Sequence, residues 1–192
     1  MYADPKISIE AYSSQRELLS YLGSTGAAFT LLGEDAKIRN DFYSLKVESD
    51  DSSFHVGILS QGSGVQPSWI IVDGQLFIGY NEHVALLSTA NLGRRVVINL
   101  LSLFFEFIYS PSLPHMYVLC ETAVVAVARD GVIRWRIDTD VICDHRIEGC
   151  VIALRLMDEP PMCIDLESGK TTQGEDLWEG GIRGKKGVRA KY

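Results

Sequence analysis

The residues of this chain best suited to chemistry are a cysteine and a histidine two positions apart, Cys143 and His145, with Cys150 a few residues further on. Side chains at positions i and i+2 of a β-strand point to the same side, so this pair could share a metal ion or form a thiol–imidazole pair. Structural zinc sites, however, draw four ligands from tightly spaced pairs, and the chain has no Cys-x-x-Cys. We therefore predict no metal site and no catalytic residue, and we keep an enzyme with a cleft around Cys143 and His145 as an alternative.

Other catalytic signatures are missing from the sequence. There is no Gly-x-Ser-x-Gly nucleophile turn, and Gly169-Lys-Thr171 lacks the upstream glycine of a phosphate-binding loop. Adjacent carboxylates such as Asp158 and Glu159 occur in loop-like segments, where they are ordinarily solvated. The sequence therefore predicts a non-enzymatic protein without a cofactor.

The charge of the chain is acidic and unevenly distributed. It contains 25 acidic and 18 basic residues, a net charge of −7, and five of the bases lie between residues 183 and 192. Without those five bases, the remaining 13 face 25 acids, a net charge of −12. A protein surface with this negative charge repels a nucleic-acid phosphate backbone and attracts a basic protein, so we expect a protein partner and no nucleic acid. An exposed tryptophan among acids suits an interface anchor, and the candidate partner-binding residues are Asp50, Asp51, Glu175, Asp176, Trp178 and Glu179.

The apolar segments are too short for a membrane helix, and the N-terminal residues do not form a signal-peptide pattern. The longest apolar stretch, 96–108, is interrupted by Asn99 and Glu106. We therefore expect a cytoplasmic protein, with its four cysteines reduced, that does not enter a membrane. A self-associating structural subunit, in which Leu100–Ile108 packs on a second copy, is a further alternative, so a homo-oligomer is a possible state.

One helix is predicted near the N-terminus. Ser13 or Ser14 can cap it, Glu17 completes a capping box with Ser14, and the apolar residues after it form a stripe that ends at Gly23. The central segment 100–108 has no clear period, so it could be either a buried helix or a strand.

Most of the remaining chain is predicted as antiparallel strands. Asp73-Gly74 and Asp130-Gly131 each separate two β-rich runs, which is typical of a hairpin turn. The fold class predicted is mainly β (α+β), an antiparallel meander, curved sheet or sandwich with one N-terminal helix and a possible second, buried helix in the centre. We predict one domain over residues 1–170 and a flexible, glycine-rich, basic tail over residues 171–192.

Two segments resemble parts of quinoprotein-type β-propellers. The run 124–136 resembles their strand–turn–strand unit, with an Asp-Gly turn and Trp135, and Ile164-Asp-Leu-Glu-Ser-Gly-Lys170 is similar to the turn between two propeller blades. The chain is too short for a complete propeller of at least about four blades of roughly 40 residues or more, so a curved or layered sheet is expected instead.

As a whole, the chain resembles bacterial immunity proteins of contact-dependent or polymorphic toxin systems in its size, its acidity and its lack of catalytic motifs. This resemblance implies a non-enzymatic inhibitor that binds and occludes a cognate toxin domain, for example a basic nuclease. Within this hypothesis the acidic residues speed the encounter with the toxin, and Trp178 supplies affinity.

Overall fold

The computed structural model of the chain describes residues 5–34, 37–49, 52–89, 95–113 and 115–174. Within these ranges the chain forms one helix and sixteen strands. In chain order the elements are β1 Lys6–Tyr12, α1 Gln15–Ser24, β2 Ala28–Leu32, β3 Asp41–Ser49, β4 Ser52–Ser60, β5 Ser68–Val72, β6 Gln75–Tyr80, β7 His83–Ser88, β8 Arg95–Asn99, β9 Phe104–Ile108, β10 Met116–Cys120, β11 Ala123–Val127, β12 Ile133–Asp138, β13 Ile142–Glu148, β14 Val151–Leu156, β15 Met162–Asp165 and β16 Thr171–Gln173. The described chain is therefore mainly β with a single helix, as predicted.

The strands form four sheets of four strands each. Sheet 1 has the order β1-β3-β4-β2, and β2 runs parallel to β4. Sheets 2, 3 and 4 are simple antiparallel meanders of β5–β8, β9–β12 and β13–β16. A four-stranded meander is also the unit from which β-propellers are built, which agrees with the propeller-like hairpins seen in the sequence.

The sheets stack face to face in chain order, and an apolar layer lies between each neighbouring pair. One cluster joins sheets 1 and 2 around Leu45 and Ile78, the next joins sheets 2 and 3 around Phe77 and Phe104, and the third joins sheets 3 and 4 around Tyr117. Sheets 2 and 3 are thus covered on both faces, which explains why their central strands read as continuous apolar runs in the sequence.

Helix α1 covers the outer face of sheet 1. Ser14 caps the helix by accepting a hydrogen bond from the Glu17 backbone N–H at 3.2 Å, and the Glu17 carboxylate accepts one from the Ser13 backbone N–H at 2.9 Å. The buried residues Leu18 and Leu22 pack on Phe42 and Leu59 of the sheet. The predicted capping is confirmed, although the helix continues one residue beyond Gly23.

The predicted hairpin at Asp73-Gly74 is present between β5 and β6, and both residues have a positive φ, 49° and 73°. At the second pair, Gly131 has a positive φ of 85°, and a five-residue connection joins β11 to β12. The Asp165–Lys170 turn, which resembled a connection between blades, joins β15 to β16 inside sheet 4.

The ambiguous segment 100–108 contains strand β9, preceded by a short connection from β8. The alternative of a buried central helix is therefore wrong, because Phe104 and Ile108 lie in a strand that pairs with β10. Strand β16 extends sheet 4 to Gln173, within the segment predicted as a tail, and the residues after Gly174 lie outside the described part of the chain.

Candidate protein-binding surface

An acidic concavity lies at the end of the stack where sheets 3 and 4 are connected. It has a volume of about 430 Å³ and a wide mouth, and it is lined by Asp138, Thr139, Asp140, Asp158 and Glu159. Four of these five residues carry a carboxylate. The concavity therefore concentrates negative charge on a part of the surface that is shaped to receive a convex, basic group.

The β12–β13 connection that carries part of this charge is held by backbone hydrogen bonds. Thr139 N–H donates to the Thr122 carbonyl at 2.9 Å, and Ile142 N–H donates to the Glu121 carbonyl at 2.8 Å. On its other side, Met157 N–H donates to the Val141 carbonyl at 2.9 Å. These bonds fix the two acidic loops relative to each other before any partner arrives.

Asp140 joins the two acidic loops. One of its carboxylate oxygens accepts a hydrogen bond from the Asp158 backbone N–H at 2.6 Å, and this bond, followed by one from Val141, lowers the pKa of Asp140. Asp140 therefore stays ionised at neutral pH and serves as a brace, while Asp158 and Glu159 remain exposed. Asp138 is partly neutralised, because Arg136 Nε lies 2.6 Å from its carboxylate.

The acidic concavity adjoins a second one of about 300 Å³, and the two share Glu159. The second is lined by residues 159–162 and 171–173. Gly174 N–H donates to the Pro161 carbonyl at 2.9 Å at this same edge. Gly174 thus lies at the edge of the second concavity.

The six residues predicted to bind a partner all lie outside the described residues, namely Asp50, Asp51, Glu175, Asp176, Trp178 and Glu179. In the sequence, Asp158 and Glu159 are recognisable only as a solvated pair, and nothing distinguishes Asp138 and Asp140 from other surface acids. The sequence signal that could have indicated this site was Asp138 at the end of β12, followed two residues later by a second acid, Asp140. Their proximity to residues 158 and 159 depends on the sheet pairing, which the sequence does not display.

The alternative enzyme site at Cys143 and His145 is not assembled as expected. The pairing register shifts between Ile142 and Asp144, so Cys143 occupies a β-bulge and the rule of alternating faces fails there. Cys143 Sγ donates weakly to the Val141 carbonyl at 3.8 Å, whereas His145 Nε2 lies 3.1 Å from a carboxylate oxygen of Glu106 on sheet 3. His145 therefore links two sheets and does not activate the thiol.

A serine–histidine pair exists elsewhere, beneath helix α1. Ser44 Oγ and His55 Nδ1 are 3.2 Å apart, and each residue is 2% exposed. The ring of Tyr21 stands edge-on to His55, with centroids 5.5 Å apart. Burial, with a contribution from the nearby Lys46, lowers the pKa of His55. The imidazole is thus neutral and enclosed, which makes this pair part of the packing of the helix on the sheet.

The apolar segment proposed for self-association is used largely inside the chain. Leu100, Phe104 and Ile108 are buried between sheets, and Leu101 alone of the segment's aliphatic residues is strongly exposed, at 73%. Homo-oligomerisation stays a prediction.

In the part of the chain that the structure describes, no group of three or more histidine, cysteine, aspartate or glutamate side chains could hold a metal ion, and no helix is long and apolar enough to cross a membrane.

No protein-family model and no curated protein sequence matches the chain. Several solved structures are similar to the chain at low identity. A crystal structure of HIRA(644-1017) has a TM-score of 0.46 at 12% identity and covers 89% of this chain, and apo AztD from Citrobacter koseri has a TM-score of 0.44 at 14% identity and covers 77%. The N-terminal domain of Nup159 has a TM-score of 0.45 at 8% identity and covers 92%. This chain spans about half the length of these three structures, 50%, 46% and 53%, and similarities of this size assign it no function.

Proposed function

We propose that this chain is a non-enzymatic protein-binding module that holds a basic protein partner at the acidic end of sheets 3 and 4. The observation that carries the proposal is the concavity lined by Asp138, Asp140, Asp158 and Glu159, in which Asp140 is ionised and braces the loop that presents the last two. Preformed charge of one sign speeds the encounter with a partner of the opposite sign and excludes partners of the same sign.

The finer form of this proposal is an immunity-type inhibitor that occludes the active surface of a bacterial toxin, for example a basic nuclease, in the cytoplasm. The net charge of −7 supports it, as does the sequence that follows Gly174, which begins with the acidic Glu175 and Asp176. Glu179 would add to the acidic charge, Asp50 and Asp51 would add to the net charge of the protein, and Trp178 would act as an apolar anchor.

The test is a comparison of two charge-reversed variants against a partner captured from source cells. Asp158→Lys combined with Glu159→Lys should lower the association rate at low salt by about tenfold, since steering by a single-sign surface contributes roughly 10- to 1,000-fold. A matched control, Glu34→Lys combined with Glu82→Lys, changes the net charge equally at two other exposed positions and should affect the rate much less.

Equal association rates for the two variants would remove the acidic concavity as the binding surface. The inhibitor hypothesis has its own criterion. The captured partner should carry an activity that one equivalent of this protein abolishes, and a partner that keeps full activity when saturated would leave a binding module without an immunity function.

A further inference from the structure

Two exposed apolar side chains lie beside the acidic concavity. Leu101, in the connection between sheets 2 and 3, is 73% exposed, and Met157, in the β14–β15 connection of sheet 4, is 60% exposed. Single exposed apolar residues are common on protein surfaces and need no explanation. These two differ from such residues because hydrogen bonds hold the backbone of each of them next to the same concavity.

Leu101 lies on the side of the concavity where sheets 2 and 3 are connected. The carbonyl of its neighbour Leu100 accepts a hydrogen bond from Arg136. Arg136 Nε also lies 2.6 Å from the carboxylate of Asp138, which lines the concavity. A chain of direct contacts therefore connects the backbone beside Leu101 with the acidic lining.

The backbone holds Leu101 in a conformation that leucine rarely adopts. Its φ is 54°, in the left-handed region that favours glycine and asparagine. Hydrogen bonds fix the chain on both sides, since the Leu101 N–H donates to Asn99 Oδ1 at 2.8 Å and the Thr122 N–H donates to the Ser102 hydroxyl at 3.0 Å. Strained residues of this kind concentrate at binding sites, so the exposure of this leucine indicates a contact with a partner.

Met157 lies on the other side of the concavity. Its N–H donates to the Val141 carbonyl at 2.9 Å, and the next residue, Asp158, donates its N–H to the Asp140 carboxylate at 2.6 Å. The bonds that hold the two acidic loops together therefore also fix the backbone of the methionine. Its flexible, polarisable side chain can adapt to apolar groups of different shape.

We propose that Leu101 and Met157 are the apolar anchors of the binding surface, and that the partner presents a segment in which basic residues lie between apolar residues. The basic residues enter the acidic concavity, and the apolar residues contact Leu101 on one side and Met157 on the other. Charge then governs how fast the partner associates, whereas the apolar contacts slow its release. This inference rests on the proposed function and adds the chemistry of the partner to it.

The test uses the full-length protein and two sets of synthetic peptides. In the first set a run of arginines, varied in length, lies between two leucines, and in the second set serines replace the leucines. At least one leucine peptide should bind about tenfold more tightly than its serine counterpart, since its contacts remove apolar surface from water. It should also shift the methyl NMR signal of Met157, while Met116, which is 4% exposed, serves as the reference within the same molecule.

Leu101→Asn combined with Met157→Gln should abolish the difference between the two peptide sets in calorimetric titrations. Asparagine adopts a positive φ readily, so this variant loses the apolar side chains and keeps the backbone. Val132→Thr combined with Ile147→Thr is the matched control. These two residues are 49% and 45% exposed and lie near the β11–β12 and β13–β14 turns, at the opposite end of the sheets, so the control should keep the tenfold difference.

Equal affinities of the wild-type protein for the two peptide sets would overturn the assignment of the anchors. A tenfold difference that persists in the Leu101→Asn, Met157→Gln variant would overturn it as well. The proposed function fails by a separate result. It is lost if Asp158→Lys combined with Glu159→Lys leaves the affinity for the serine peptides unchanged, because those peptides can use only the charge of the concavity.

Discussion

At the N-terminal end of the stack, helix α1 lies on the outer face of sheet 1, whereas at the C-terminal end the outer face of sheet 4 carries a groove lined by Arg146, Glu148, Val151 and Ala153. The helix is close in sequence to the strands that it covers, and Leu18 and Leu22 reach the sheet over Gly57. A stack of sheets must cover or solvate its two terminal faces. This molecule covers the first with an apolar contact and presents the second as a mixed, partly charged surface.

The largest effect is expected from removing the apolar contact at the first end. Leu22 is 1% exposed, so Leu22→Ala should lower the free energy of unfolding by about 3 kcal/mol, through lost burial and the cavity left behind. Leu19→Ala on the same helix is the control. Leu19 is 37% exposed, so this change should cost less than about 1 kcal/mol. Urea denaturation measures both, and equal losses would show that the helix does not rely on this face.

The second effect concerns pH and also belongs to the helix-covered end. His55 lies beneath the helix, and burial, followed by the charge of Lys46, lowers its pKa below the ordinary value of 6.5. Below pH 6.5 the imidazole is therefore protonated in the unfolded chain and still neutral in the folded protein. The contribution of His55 to the free energy of unfolding is complete above pH 6.5, and it is lost as the pH falls towards the folded-state pKa. The slope contributed by one such group is at most about 1.4 kcal/mol per pH unit.

His55→Gln keeps a side chain that can bond Ser44 and removes the titration. Its unfolding free energy should therefore depend less on pH than that of the wild-type protein between pH 6.5 and 5. Denaturation at several pH values measures the two slopes. Identical slopes would mean that the imidazole is hydrated in the folded protein.

The difference between the two ends also explains how much of this structure could be predicted from the sequence. The helix could be predicted because its capping groups, Ser14 and Glu17, and its apolar stripe lie within ten residues of each other. The hairpin at Asp73-Gly74 could be predicted for the same reason, since the turn requires two positive φ values in adjacent residues.

Sheet 4 was harder to predict because its first strand does not alternate. In β13, residues Cys143, Asp144 and Arg146–Glu148 are exposed, and a bulge interrupts the register at Cys143. An edge strand at the end of a stack has little burial to shape its pattern. The acidic concavity shares this difficulty, since it joins residues 138–140 to residues 158–159 across a pairing that only the folded sheet creates.

The sequence also did not show where each four-stranded sheet begins and ends. In the sequence, Trp69–Leu87 and Met116–Ile137 look alike, each with three strands and one Asp-Gly turn. In the structure the first Asp-Gly turn joins the first two strands of sheet 2, and the second joins the last two strands of sheet 3. The true unit has four strands, and the similarity of single hairpins does not reveal where each unit begins.

The smallest effect compares one added methyl group at each end. Gly23, in helix α1, has open space where a Cβ would be, so Gly23→Ala should raise the free energy of unfolding by about 0.5–1 kcal/mol through helix propensity. At Gly174 the same methyl would lie 2.9 Å from Cys163 Sγ and 3.4 Å from the Pro161 carbonyl oxygen. Gly174→Ala should therefore cost less than about 1 kcal/mol, because the thiol can turn aside, and it should speed the alkylation of Cys163 severalfold. If Gly174→Ala leaves the labelling of Cys163 unchanged relative to that of the exposed Cys143, the main chain at Gly174 does not press on the Cys163 thiol.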